Sequence, residues 1–124
     1  LVSKVIRNKK GEDNNFLIID CGMNNLIRPS MYDSYHEIFP VIFRKNEIVE
    51  VDIVGPICES SDVFGKKRKI EKMEKDDLLV LCSVGAYGSC MSSNYNCRDV
   101  AMEVFIDGKK IIDSNGKRIK LSKG

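Results

Sequence analysis

Glu47–Val54 alternates without a break: Val49, Val51 and Ile53 point one way, Glu50 and Asp52 the other. A period of two marks a β-strand with one buried face. Similar signals recur in short runs. Residues 1–7 and 15–21 are apolar and β-branched and flank a polar stretch with Gly11, which reads as a hairpin. Residues 37–43 are strand-like, with Pro40 arguing for an edge or a bulge. Leu78–Val84 is a continuous apolar strand. The end of the chain reads as a meander, with strands at 99–106, 109–113 and 117–121 and tight turns at Asp107-Gly108 and Asn115-Gly116. One short helix is expected to begin at Pro29. Residues 55–76 read as a long connection whose Lys66–Lys69 stretch is a solvated loop. The expected fold is all-β, a Greek-key-type β-barrel or sandwich with a short helix, in one domain over 1–124.

Composition narrows the function classes. Apolar residues make up 43% and charged residues 31%, an ordinary globular mix. The net charge of +2 makes no general case for a polyanionic partner. The longest apolar runs are too short to span a bilayer as a helix. Five cysteines stand at 21, 58, 82, 90 and 97, with no Cys-x-x-Cys pair, and His36 is the only histidine. A structural zinc site is therefore not expected. The odd cysteine count fits reduced thiols, and the expected location is cytoplasmic. Cys21 and Cys82 sit in strand patterns and read as small buried hydrophobes. The chain opens inside an apolar pattern, Leu-Val-Ser-Lys-Val-Ile, and is expected to be a piece of a longer polypeptide.

Three loops break the economy of the strand plan: 22–35, 55–65 and 85–96. Loops on a rigid β scaffold are where sites usually lie. The first offers Arg28, a planar fork suited to a carboxylate, and Tyr32 four residues on. The second puts a thiol, Cys58, beside a carboxylate, Glu59, in the turn Gly55-Pro56-Ile57-Cys58-Glu59. A thiol can donate a proton to a reacting carbon, and an adjacent carboxylate can hold an ammonium group. The third offers Tyr87 between Ala86 and Gly88, a hydroxyl able to reach a phosphate. Together these groups match an amino-acid ligand with a phosphorylated cofactor.

The strings themselves are more specific than the residue types. They are Asp20-Cys21-Gly22-Met23-Asn24-Asn25-Leu26-Ile27-Arg28-Pro29, Tyr32-Asp33-Ser34-Tyr35-His36, Gly55 through Gly65, Gly85-Ala86-Tyr87-Gly88 and Met91-Ser92-Ser93-Asn94-Tyr95-Asn96. In this order and spacing they resemble the C-terminal domain of the diaminopimelate decarboxylases, which are pyridoxal-phosphate enzymes of the alanine-racemase-like fold type. The resemblance covers nearly the whole chain. It implies that Arg28 and Tyr32 bind the distal end of the substrate and that Glu59 contacts its distal amine. It implies that Cys58 protonates the carbon left when carbon dioxide departs, and that Tyr87 lies at the substrate and the cofactor. It also implies an upstream (β/α)₈ barrel that carries the Schiff-base lysine and the phosphate site. The active form would be a homodimer in which the Cys-Glu pair crosses to the partner's site. Cys21 and Ser83-Val84 depart from the common pattern, and Cys90 and Cys97 are extra thiols. None of these is a candidate site residue.

Other readings compete with these. Arg28 and Glu59 also fit ion pairs, and Tyr87 also fits core packing. Asp62 and Tyr95 read as interface or loop-shaping residues, and His36 as a structural hydrogen-bonding residue. A sister decarboxylase acting on ornithine, arginine or carboxynorspermidine is an alternative, although ornithine enzymes tend to carry aspartate where this chain has Glu59. A non-catalytic β-barrel binding module is another. A nucleic-acid partner is not expected, because Lys66–Lys69 contains no interleaved aromatics.

Overall fold

A computed structural model describes residues 1–120. The strands in chain order are β1 (Val2–Lys10), β2 (Asn15–Ile19), β3 (Ile38–Pro40), β4 (Ile48–Val54), β5 (Val63–Glu71), β6 (Leu78–Leu81), β7 (Val104–Asp107) and β8 (Lys110–Asp113). One helix, α1 (Arg28–Tyr32), lies between β2 and β3. Short 3₁₀ turns occur at Ser89–Met91 and Tyr95–Cys97. Among the described residues no helix is long and apolar enough to cross a membrane.

The first six strands form one sheet in the order β3-β6-β1-β2-β4-β5. β2 and β4 run parallel, and every other neighbouring pair is antiparallel. Parallel neighbours cannot be joined by a tight turn. The chain between β2 and β4 therefore crosses over, and that crossover carries α1 and β3. The two ends of the sheet approach one another, β3 packing near β5. Arg68 on β5 donates to the His36 carbonyl just before β3. Just past β3, the Arg44 and Asn46 N–H groups donate to Glu71 Oε1 at 2.7 and 2.9 Å. The result is a nearly closed barrel-like sheet, as the strand pattern predicts.

The barrel interior is filled from alternate positions of these strands. Val5, Leu17, Ile19, Leu26, Ile53, Leu79 and Leu81 are fully buried, with Cys21, Val51, Phe64, Ile70 and Met73 around them. Burying each such Leu or Ile contributes about 1.5–3 kcal/mol relative to exposure. Asp52 lies on the outer face of β4, yet it is buried too. Its Oδ1 accepts from the Lys67 N–H at 2.7 Å and its Oδ2 from Asn14 Nδ2 at 3.1 Å, which ties β4 to β5 and to the first hairpin.

Several expectations need correction. The stretch 55–76 is no long connection, because the nine-residue strand β5 runs through its middle. Lys66, Lys67 and Lys69 are exposed as expected, but they stand on a strand paired with β4. An edge strand needs only backbone partners on one side, and lysines there discourage further pairing. β3 is shorter than 37–43 and stops at Pro40, which sits on an edge strand where its missing N–H is tolerated. β6 ends at Leu81 rather than Val84. The helix starts at Arg28 with Pro29 in its first turn.

At the C-terminal end the expected strand over 99–106 begins only at Val104. β7 and β8 form a separate two-stranded sheet turned through Gly108, whose φ is +55°. The predicted last strand contributes a bridge between Arg118 and Ile112, and its Leu121 end lies outside the described residues. The hairpin buries little, with Phe105 and Ile106 both exposed.

Candidate functional site

The three loops singled out in the sequence converge, and two buried polar side chains fasten them. Asp62 is 2% exposed. Its Oδ1 accepts the Met23 N–H of the first loop at 2.7 Å, and its Oδ2 accepts the Ile57 N–H of the second at 2.8 Å. The Asp62 carbonyl accepts from the Gly55 N–H, and its own N–H donates to the Glu59 carbonyl, closing the turn that carries Cys58. A Cβ on Gly55 would lie 2.2 Å from Asp62 Oδ2, so only glycine fits there. Ser30 on α1 adds a second tie, donating to the Ser61 carbonyl at 2.6 Å.

Asn24 does the same for the third loop. Its carbonyl accepts the Ser93 N–H at 2.9 Å, and its Nδ2 donates to the Ser93 carbonyl at 3.2 Å. Arg98 Nη2 donates to the Asp20 carbonyl at 2.6 Å. Loops fastened through backbone groups hold their side chains on a rigid base, which a binding site requires.

Two groups of side chains result. In the first, the Arg28 guanidinium lies 5.8 Å from the Tyr32 ring centroid and 5.7 Å from that of Tyr87, a cation–π arrangement on both sides. Both tyrosines are exposed. Tyr87 has φ +59°, a left-handed conformation unusual for a bulky residue. Backbone strain of this kind concentrates at functional sites. Among the described residues no carboxylate forms an ion pair with Arg28.

The second group is Cys58, Glu59 and Tyr95. Cys58 is exposed and unpaired. The Tyr95 hydroxyl donates to Glu59 Oε1 at 2.5 Å. That bond, followed by the negative charge of Glu59, holds the Tyr95 phenol above its usual value near 10, with smaller contributions from desolvation and then from nearby Cys58. Tyr95 therefore stays protonated, and a donor, across the neutral range.

The sequence reading set Arg28 with Tyr32, Cys58 with Glu59, and Tyr87 apart at the cofactor; the structure brings Tyr87 beside Arg28. It read Asp62 and Tyr95 as interface or loop-shaping residues and did not foresee what each one holds. Ile57 lies five residues from Asp62, but Met23 lies 39 from Asp62 and Glu59 36 from Tyr95, beyond any local signal. His36 is buried, with Nδ1 2.8 Å from the Cys82 carbonyl, in keeping with a structural role. Cys21 is buried as expected, and burial, aided by the Asp62 and Asp20 charges, pushes its thiol up to about 12. Cys82 is only partly buried. No lysine belongs to any of the three loops. Among the described residues no cluster of His, Cys, Asp or Glu is arranged to hold a metal.

Known proteins carry the same arrangement of strands. Residues 1–85 match the family described as pyridoxal-dependent decarboxylase, C-terminal sheet domain. A Vibrio cholerae protein named diaminopimelate decarboxylase is 48% identical over 110 residues, which cover 89% of this chain and 26% of that protein. A Zymomonas mobilis protein of the same name is 44% identical over a stretch of the same length and coverage. The crystal structure of diaminopimelate decarboxylase from M. jannaschii in complex with L-lysine matches with a TM-score of 0.88 and 39% identity, over 97% of this chain and 27% of that one. The chain thus spans about a quarter of the length of the curated relatives it matches. By sequence and by fold, it belongs to the C-terminal sheet domain family of the pyridoxal-dependent decarboxylases.

Proposed function

We propose that this chain is the C-terminal β domain of a longer decarboxylase that converts meso-2,6-diaminopimelate to L-lysine and carbon dioxide in the cytoplasm. The observation that carries the reading is the three-loop cluster, which presents a guanidinium between two phenols and a thiol beside a hydrogen-bonded carboxylate. Joined across a dimer, the guanidinium of one chain and the carboxylate of the other would complement a substrate whose distal end bears both a carboxylate and an ammonium. A site built to pair such groups rejects analogues that lack them, because its own polar groups are then left unsatisfied.

The cofactor is pyridoxal 5′-phosphate, which when bound supplies the electron sink for loss of carbon dioxide. The residues present fit one edge of it. The Tyr87 hydroxyl would take a phosphate oxygen, and the Schiff-base lysine would be supplied by an upstream (β/α)₈ barrel. Arg28 and Tyr32 take the distal carboxylate and Glu59 the distal ammonium, with Tyr87 also reaching the substrate. Cys58 Sγ delivers a proton to the carbon that has lost carbon dioxide, as a positioned general acid. The enzyme works as a homodimer in which Cys58 and Glu59 serve the partner's site. The chain by itself is expected to bind the cofactor poorly and to release no carbon dioxide.

The test is carbon dioxide release by the full-length protein with pyridoxal phosphate, given meso-diaminopimelate, ornithine and arginine in parallel. Release from diaminopimelate alone is the expected result. Release from ornithine or arginine instead would overturn the substrate assignment, and release from none would favour a non-catalytic binding module.

A further inference from the structure

Tyr95 enters the cluster from the third loop and meets Glu59 from the second. Its hydroxyl donates to Glu59 Oε1 at 2.5 Å, across 36 residues of sequence. The rest of the residue is fixed from behind. Its N–H donates to Ser93 Oγ at 3.3 Å, and Ser93 is bonded twice to Asn24 through its backbone. Asn94 Nδ2 donates to the Arg98 carbonyl at 3.2 Å, and the turn closes through Asn96 and Cys97 at positive φ.

A glutamate on the surface of a turn has three rotatable side-chain bonds and samples several staggered states. A short bond from a neutral phenol to a carboxylate selects among them and is stronger than a neutral pair. With Oε1 engaged by Tyr95, Oε2 is the oxygen left to accept from an incoming cation. A carboxylate held in one geometry also loses less freedom on binding that cation than a mobile one does.

We infer that Tyr95 is a positioning residue that sets selectivity for a substrate with a distal ammonium, by holding the Glu59 carboxylate in a single orientation. The inference rests on the proposed function and deepens it. Tyr95 acts through Glu59 and has no part in the proton transfer at the reacting carbon.

The experiment uses full-length enzyme loaded with pyridoxal phosphate and two substrates of equal chain length. One is meso-diaminopimelate, and the other is 2-aminopimelate, which lacks the distal ammonium. The readout is the ratio of their kcat/KM values in wild type, Tyr95→Phe, Glu59→Ala and the double variant, with thermal midpoints to establish folding. Tyr95→Phe is expected to lower the ratio about tenfold, through the KM for diaminopimelate and with little change in its kcat. Glu59→Ala lowers the ratio at least as far, and adding Tyr95→Phe to it lowers the ratio no further.

A Tyr95→Phe enzyme that loses the same factor on both substrates, or loses nothing, overturns the inference. So does a further loss in the double variant. A wild type that releases carbon dioxide from ornithine rather than diaminopimelate refutes the substrate assignment alone, and the same ratio taken with ornithine against norvaline then decides the role of Tyr95. A wild type active on no amino acid refutes both.

Discussion

Asp62 is a carboxylate enclosed by the loops it joins, and its titration should be visible in the stability of the fold. Burial raises its pKa above the ordinary value of 3.8, against the opposing pull of the Ile57 and Met23 N–H groups and the Arg98 charge. A folded state that holds its proton more tightly than the unfolded chain loses relative stability as pH rises through that window. The wild-type advantage over Asp62→Asn should therefore shrink as pH rises from below 3.8 to above the raised value, measured by urea unfolding at a series of pH values. An advantage that grows with pH would mean that the two backbone bonds outweigh burial. Gly55→Ala places a methyl group 2.2 Å from Asp62 Oδ2 and should cost about 1–3 kcal/mol in the same assay. The sequence singled out Arg28, Tyr32, Cys58, Glu59 and Tyr87 as candidates because each stands in a distinctive short string. It did not announce that Asp62 holds Met23 or that Tyr95 holds Glu59, because those contacts form only when distant loops meet.

At the scale of elements, a clasp fastens the segment after β3 to the turn before β6, its neighbour in the sheet. Arg44 Nη1 and Nη2 donate to the two carboxylate oxygens of Asp77 at 2.7 and 2.8 Å, a bidentate pair. The Asp77 carboxyl is held below its ordinary value of 3.8, chiefly by Arg44 and then by the Glu74 N–H. A depressed carboxylate contributes stability above that value and loses it as pH falls through the depressed one. Asp77→Asn should therefore destabilise the domain at pH 7, and its effect should vanish in acid, the opposite slope to Asp62. Thermal unfolding of both variants over one pH series checks the two signs together. The strands β1, β2, β4 and β6 were legible because β-branched runs and alternation mark a half-buried face. β5 was not, because Lys66–Lys69 interrupts any apolar period, and only Phe64 and Ile70 at its ends reach the core.

At the scale of the whole molecule, the proposed dimer makes a prediction that no single chain can imitate. If Arg28 serves its own protomer's site while Cys58 serves the partner's, full-length Arg28→Ala and Cys58→Ala enzymes should each be nearly inactive. Mixed and allowed to exchange subunits, they should recover about a quarter of wild-type activity, since half the dimers are hybrid and each hybrid has one intact site. No recovery would place both residues in the same chain's site. The long crossover between the parallel strands β2 and β4, which runs through α1 and β3, carries Arg28 and Tyr32, since parallel neighbours cannot be joined by a tight turn.

Among the described residues the β7–β8 hairpin pairs with no strand of the barrel, only within itself and with the Arg118 bridge, and leaves Phe105 and Ile106 exposed, so the chain should keep two clocks. Two-stranded ribbons are marginal in water, whereas strands flanked on both sides open only with the whole domain. In a hydrogen-exchange experiment on this chain alone, the amides of β1 and β2 should outlast those of 104–113 by orders of magnitude, the hairpin trading its protons while the barrel is still counting its first.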